Sequence, residues 1–205
     1  MLSPEQIAGL IAAVSFAAGL NVYATVATLG LLSRANVVEL PPALHLVHSW
    51  PVIGIAIAMF VIEFFADKIP GFDLVWNALH TFIRVPVAAL LAYGASQRLS
   101  PEAQVIAAVV GGAIALAAHG GKTAARAAVT PSPEPFSNIA LSTGEDVGAI
   151  GLTWFATVHP MVAALIVLVL LTLTGLMVRF IWRAMRRLFR GAERQMEGFD
   201  ADTPT

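Results

Sequence analysis

Hydrophobic positions in this chain fall in long unbroken runs, and the runs are separated by proline, glycine and clustered charge. The first run begins at Ile7 and reaches about Ser33, after the opening Ser3-Pro4-Glu5-Gln6. Ser3 suits a helix cap, Pro4 the first helical position, and Gln6 completes a capping box, so one helix is predicted from Pro4 to about Ser33. At 1.5 Å per residue such a helix crosses about 30 Å of hydrocarbon with some tilt. Its polar groups, Asn21, Tyr23, Thr25 and Thr28, read as hydrogen bonding between packed helices. Residues 34 to 49 carry Arg34, Pro41, Pro42, His45 and His48 and lead to Trp50. They read as an interfacial connection with an aromatic anchor, because two histidines three apart without Cys or carboxylate support do not make a metal site.

The second run, Pro51 to Ile62, passes into Glu63-Phe-Phe-Ala-Asp67-Lys68-Ile-Pro70-Gly71. Helical spacing puts Glu63 and Asp67 on one face, and Pro70-Gly71 ends the helix. A third run restarts near Phe72 with Asp73, Trp76, His80 and Arg84, and continues past Pro86 to Tyr93. His80 and Arg84 share a face, so two acids meet a histidine and an arginine across a tight turn. Ser100-Pro101-Glu102 repeats the opening motif and starts a fourth run rich in glycine and alanine, the composition of a closely packed helix.

That run leads into the most polar part of the chain, HGGKTAARAAVTPSPEPFSNIALSTGED, from His119 to Asp146. His119, Lys122 and Arg126 fall on one helical face. The prolines between Thr130 and Pro135 break the helix, Ser137-Asn138 suits the next cap, and Ser142, Glu145 and Asp146 line up on the returning arm. Glu134 and Asn138 lie in the connection. A fifth run ends near Val158, His159-Pro160 forms a turn, and a sixth extends from Met161 to about Phe180. Beyond it, Arg179, Arg183, Arg186, Arg187, Arg190 and Arg194 give a basic amphipathic helix suited to anionic lipid headgroups, followed by Glu197, Asp200 and Asp202.

Composition sharpens this pattern. The 205 residues are 58% hydrophobic and 12% charged, and a mean hydropathy of +0.78 places the chain among membrane proteins. A net charge of -1 argues against nucleic acid as a partner. The absence of cysteine excludes disulfides, thiolate metal sites and cysteine nucleophiles. The predicted fold is all-α: a polytopic membrane helix bundle of about six transmembrane helices with two broken, charged hairpins. Residues 1–183 form the transmembrane domain and 184–205 a cytoplasmic basic helix with an acidic tail. Six spans place both termini on one side with the turns near Pro70 and Pro133. That side then holds every Lys and Arg except Arg34 and Arg98, so it is assigned to the cytoplasm. The two Ser-Pro-Glu motifs suggest two halves of three spans in opposite orientation, a 3+3 inverted repeat.

The candidate binding residues are Glu63, Asp67, Lys68, Asp73, His80, Arg84, His119, Lys122, Arg126, Glu134, Asn138, Glu145 and Asp146. An ionised group at a helix centre costs about 2.5–3.5 kcal/mol to insert, whereas each Leu or Ile returns only about 0.3–0.6 kcal/mol. These charges therefore pair with one another, line water or sit near the interface. Pairing across the two hairpins would also build a polar pocket opening towards the cytoplasm.

The run Glu63 to Pro70, with Asp73, Trp76, His80 and Arg84, and the run Ser132 to Asn138, with Glu145-Asp146, resemble the domain-of-unknown-function 4126 family. The resemblance extends to about Phe180 and implies a small polytopic protein of the bacterial inner membrane; it implies no activity. Three functions compete. The first is a transporter or channel for an ion or small charged solute, with the charged hairpins as its site. The second is a lipid-headgroup binder or membrane enzyme, in which Arg84, Lys122 and Arg126 grip phosphate, although HExxH, GxSxG and P-loop motifs are missing. The third is a non-catalytic membrane subunit whose charges are architectural. No cofactor or metal is assigned, and a homo-oligomer is left open.

Overall fold

In the computed structural model, residues 2–69, 72–129 and 136–201 are described; for residues 73, 74, 127–129, 138 and 188–201 only the backbone is. Helix α1, Pro4–Leu20, starts as its sequence predicts. The Ser3 hydroxyl accepts from the Gln6 amide at 3.3 Å, and the Gln6 side chain accepts from the Ser3 amide at 2.9 Å. The helix does not continue to Ser33. Asn21 adopts an extended conformation, with φ -150°, and is at once the C-cap of α1 and the N-cap of α2, Val22–Arg34. Its side-chain oxygen accepts from the Ala24 amide at 2.9 Å, which is how a short amide side chain competes with helix continuation.

The break reverses the chain. Val22 packs with Ala18, and Leu29 packs with Val14, so α2 runs back along α1 and the pair forms a hairpin with Asn21 at its tip. A 3-10 helix, Pro42–His48, then bends by 60° into α3, Trp50–Ala66. The remaining helices are α4, Phe72–Ala95, α5, Pro101–Val129, α6, Phe136–Val158, and α7, Pro160–Ala201. Among the described residues there is no strand.

Helix α1 is apolar all round and forms the axis of the bundle, packed against α4, α5, α6 and α7. Glycines permit this closeness. A Cβ on Gly19 would stand 2.7 Å from that of Ala118 on α5, and one on Gly9 would stand 2.6 Å from the Pro160 carbonyl at the start of α7. Ile11 sits beside Ala107 and Gly19 beside Ala115, so α5 runs parallel to α1. Gly9 beside Pro160, Ala13 with Val167 and Gly121 beside Thr174 give α7 the same direction. Helices α4 and α6 run oppositely, with Ala92 near Ile7 and Ala88 near Ala18, and with Ala156 near Ala13 and Ala149 near Ala17.

Two expectations change as a result. With the first run folded into a hairpin, α7 leads away from the end of the bundle at which α1 starts. The two Ser-Pro-Glu motifs both start helices at that same end, and Ser100 caps α5 as Ser3 caps α1, accepting from the Ala103 amide at 3.3 Å. Their likeness is explained by capping chemistry, and the opposite orientation expected of the two halves is not found. Ser137 and Asn138 lie within α6 rather than before it.

Three helical segments are long and apolar enough to cross a membrane, Val75–Ala95, Pro101–Arg126 and Pro160–Arg187, and the bent pair ending in α3 makes a fourth. Burial is inverted relative to a water-soluble protein. Phe82 is 81% exposed, whereas Glu63 and Arg84 are fully buried. Such a surface belongs in lipid, and the chain is a membrane protein.

Candidate functional site

The tip of the α1–α2 hairpin, the C-terminal end of α3 and the inner faces of α4, α5 and α6 converge on one buried cluster of charge. Glu63 and Asp67 come from α3 and its cap, Asn77, His80 and Arg84 from α4, His119, Lys122 and Arg126 from α5, and Glu145 and Asp146 from α6. Helical spacing explains each set. Asn77, His80 and Arg84 recur at i, i+3, i+7, as do His119, Lys122 and Arg126, so every set projects from a single face.

Lys122 stands at the centre. Its ammonium lies 2.8 Å from Asp67 Oδ2, 3.3 Å from Glu145 Oε2 and 3.5 Å from Glu63 Oε1, and it donates to the Leu20 carbonyl at 3.1 Å. That carbonyl is at the negative end of α1, so the helix break itself helps to hold the cation. Arg126 reaches Asp67 Oδ2 at 3.0 Å, the Asp67 carbonyl at 2.9 Å and Glu145 Oε2 at 2.5 Å. Arg84 pairs with Glu63 and donates to Asn77 Oδ1 at 3.1 Å, while Asn77 donates to Asp67 Oδ1 at 3.4 Å. Pairs therefore form within each hairpin, Glu63–Arg84 and Glu145–Arg126, and between hairpins, Asp67 with Lys122 and Arg126.

The histidines take different parts. Arg84 also lies 2.7 Å from His119 Nδ1, and a guanidinium can only donate, so Nδ1 accepts. His119 is then the neutral tautomer with its proton on Nε2, which faces Thr81 Oγ1 at 2.8 Å, and Thr81 passes its own proton to the Asn77 carbonyl at 3.3 Å. His80 does not join the acids. Its Nδ1 donates to the Trp76 carbonyl at 2.8 Å, its ring stacks on Trp76 with centroids 4.3 Å apart, and its buried Nε2 has no partner among the described residues.

Asp146 differs from the other three described carboxylates of the cluster. Among the described residues no Lys or Arg nitrogen lies within ion-pair distance of it. Its Oδ1 accepts from Asn21 Nδ2 at 2.8 Å, and its buried Oδ2 has no partner among the described residues. Sequence reasoning read Asn21 as packing and passed over Asn77. An Asn directly after Gly19-Leu20 was the available signal for the break, and the i, i+3, i+7 spacing with His80 and Arg84 was the signal for Asn77.

Lys68 stays outside the network; its ammonium donates to the Phe64 carbonyl at 3.0 Å and lies over the Phe64 ring. Glu134 lies outside the described residues, as do the side chains of Asp73 and Asn138. No three described His, Asp or Glu side chains are grouped to hold a metal ion.

Pairing within and across the two hairpins draws the charged groups together. A pocket of about 1000 Å³ opens at the end where α1 starts. Glu39, His45 and Arg98 contribute to it, its walls include Leu10, Val14, Leu29 and Leu91, and it reaches the buried Ser15, whose hydroxyl has no partner among the described residues. From Ser15 to Asn21, six residues of α1 span about 9 Å along its axis.

The profile of a domain of unknown function (DUF4126) matches residues 8–180, which contain the whole network. No curated protein and no solved structure matches the chain. With most of its length covered by that match, the chain belongs to the family of the domain of unknown function DUF4126.

Proposed function

We propose that this protein is a small membrane transporter or channel that passes an ion or small charged solute through the polar site between its two charged hairpins. The observation that carries the reading is a buried network which, among the described residues, joins three cations and four carboxylates inside a lipid-facing bundle and is touched by the tip of a broken helix. Charges at such depth are expensive, and discontinuous helices whose ends face the site are the usual means of binding and releasing an ion there. The Leu20 carbonyl and the start of α2 supply two such ends of opposite sign. The pocket at the α1 end, stopping short of Asn21, supports an approach from that side.

In this reading α3, α4, α5, α6 and α7 span the bilayer and α1–α2 enters and leaves on one face. The end of the bundle bearing Lys68, Lys122, Arg126 and the arginines of α7 faces the cytoplasm by the positive-inside rule. The start of α1 then lies on the outer face and α7 runs into the cytoplasm, in place of both termini inside. The test is flux through reconstituted protein under imposed proton, sodium and chloride gradients. Wild type conducts along at least one gradient and Glu63→Gln does not; a tight membrane in every case refutes the proposal and favours the subunit reading.

A further inference from the structure

We propose that Asp146 is the group that takes up and releases a proton, and that the carried ion of this site is the proton. The inference rests on the transport reading for its physiological role, but the assignment of the proton stands on the geometry of Asp146. Glu63, Asp67 and Glu145 are each held against at least one of Arg84, Lys122 and Arg126. Protonating any of these three acids weakens a pair with a buried cation. Asp146 is buried and, among the described residues, belongs to no such pair. One of its oxygens has the Asn21 amide, a neutral donor, and the other has no hydrogen-bond partner among the described residues.

The groups facing it come from every neighbouring element. Among the described residues they are Asn21 from the α1–α2 tip, Lys122 from α5, and Glu63, Asp67 and Lys68 from the α3 end, while Glu145 precedes it on its own helix. Lys122 is engaged by three carboxylates and the Leu20 carbonyl, which leaves it no direct bond to Asp146. A metal cation would need several oxygens from converging side chains, and the described residues group no three acids or histidines for one. A proton needs a single carboxylate oxygen. Its uptake turns the carboxylate into a carboxylic acid with no other bond made or broken, and weakens the charge-assisted hydrogen bond from Asn21 that fastens the hairpin tip.

The test is infrared difference spectroscopy of the full chain in liposomes, comparing alkaline with acidic buffer, alongside proton flux read by an entrapped pH dye. A buried carboxylic-acid carbonyl band that appears on acidification, moves to lower frequency when aspartate carries a carbon-13 carboxyl, and is missing in Asp146→Asn supports the assignment. The label needs no substitution, so a variant that fails to fold does not decide the matter, and Asp146→Glu should move the band out of the aspartate set. Absence of the band, indifference to the label or persistence in Asp146→Asn overturns it. Flux in the wild type that falls to the level of empty liposomes in Asp146→Asn extends the assignment to transport. A labelled band without flux upholds the proton site and refutes the transport reading; flux unchanged in Asp146→Asn overturns the proton as carried through this residue.

Discussion

Two isosteric neutralisations, Asp67→Asn and Asp146→Asn, should separate sharply although both remove a buried carboxylate a helix apart. Asp67 accepts from Lys122 at 2.8 Å, Arg126 at 3.0 Å and Asn77 at 3.4 Å. Replacing it removes the acid that Lys122 and Arg126 share, and breaking a buried pair from one side costs about 3–5 kcal/mol. Asp146→Asn keeps an oxygen for the Asn21 amide. It exchanges a charge-assisted bond for a neutral one, a loss of about 1 kcal/mol, and it removes an unpaired charge from the interior, which offsets that loss. The net change should stay within about 1 kcal/mol. Reversible unfolding in mixed micelles of increasing denaturing detergent measures both variants against wild type. Equal destabilisation of the two, or a larger loss in Asp146→Asn, would refute the division of the network into paired acids and one unpaired acid.

Other consequences are open to direct measurement. Asn21→Ala removes the N-cap of α2, worth about 1 kcal/mol, together with the bond to Asp146, so it should lower unfolding stability by more than a surface alanine substitution does. Gly19→Val puts side-chain atoms into the α1–α5 contact, where overpacking costs about 1–3 kcal/mol, and should lower the thermal midpoint, while Gly54→Val, at a glycine with open space around it, should not. The natural chain has no cysteine, so Ser15→Cys and Ala18→Cys can be made without preparing a background. A membrane-impermeant thiol reagent applied from the α1 end should label Ser15→Cys and spare Ala18→Cys, and equal labelling would contradict the depth assigned to the pocket.

Much of the charged site was legible because helical spacing and proline breaks are local properties. Glu63 with Asp67, His80 with Arg84, and His119 with Lys122 and Arg126 were grouped by face alone, and those faces do meet. Partner choice was not legible. Nothing in the spacing tells Lys122 to bind Asp67 on another hairpin, or His80 to turn to Trp76 instead of the acids, because these depend on the rotation of whole helices against α1. The topology was lost at one residue. An apolar run from Ile7 to Ser33 reads as a single span by hydropathy, and Asn21 breaks it through a side-chain cap whose effect on direction is a tertiary matter. The break turns α2 back along α1, and both Ser-Pro-Glu motifs start helices at the same end of the bundle.

The most direct test of a transport site at the charged network is a charge exchange across one pair. Glu63→Arg with Arg84→Glu preserves the pair of opposite charges between α3 and α4 while moving the acid away from its original place. Proton flux is measured in proteoliposomes holding protein that stays monodisperse and resists denaturing detergent like wild type. A functional network predicts that the exchanged protein folds and is tight to protons while wild type conducts. Wild-type flux from the exchanged protein, or a tight membrane from both, would show that the charges are architectural and would contradict the account.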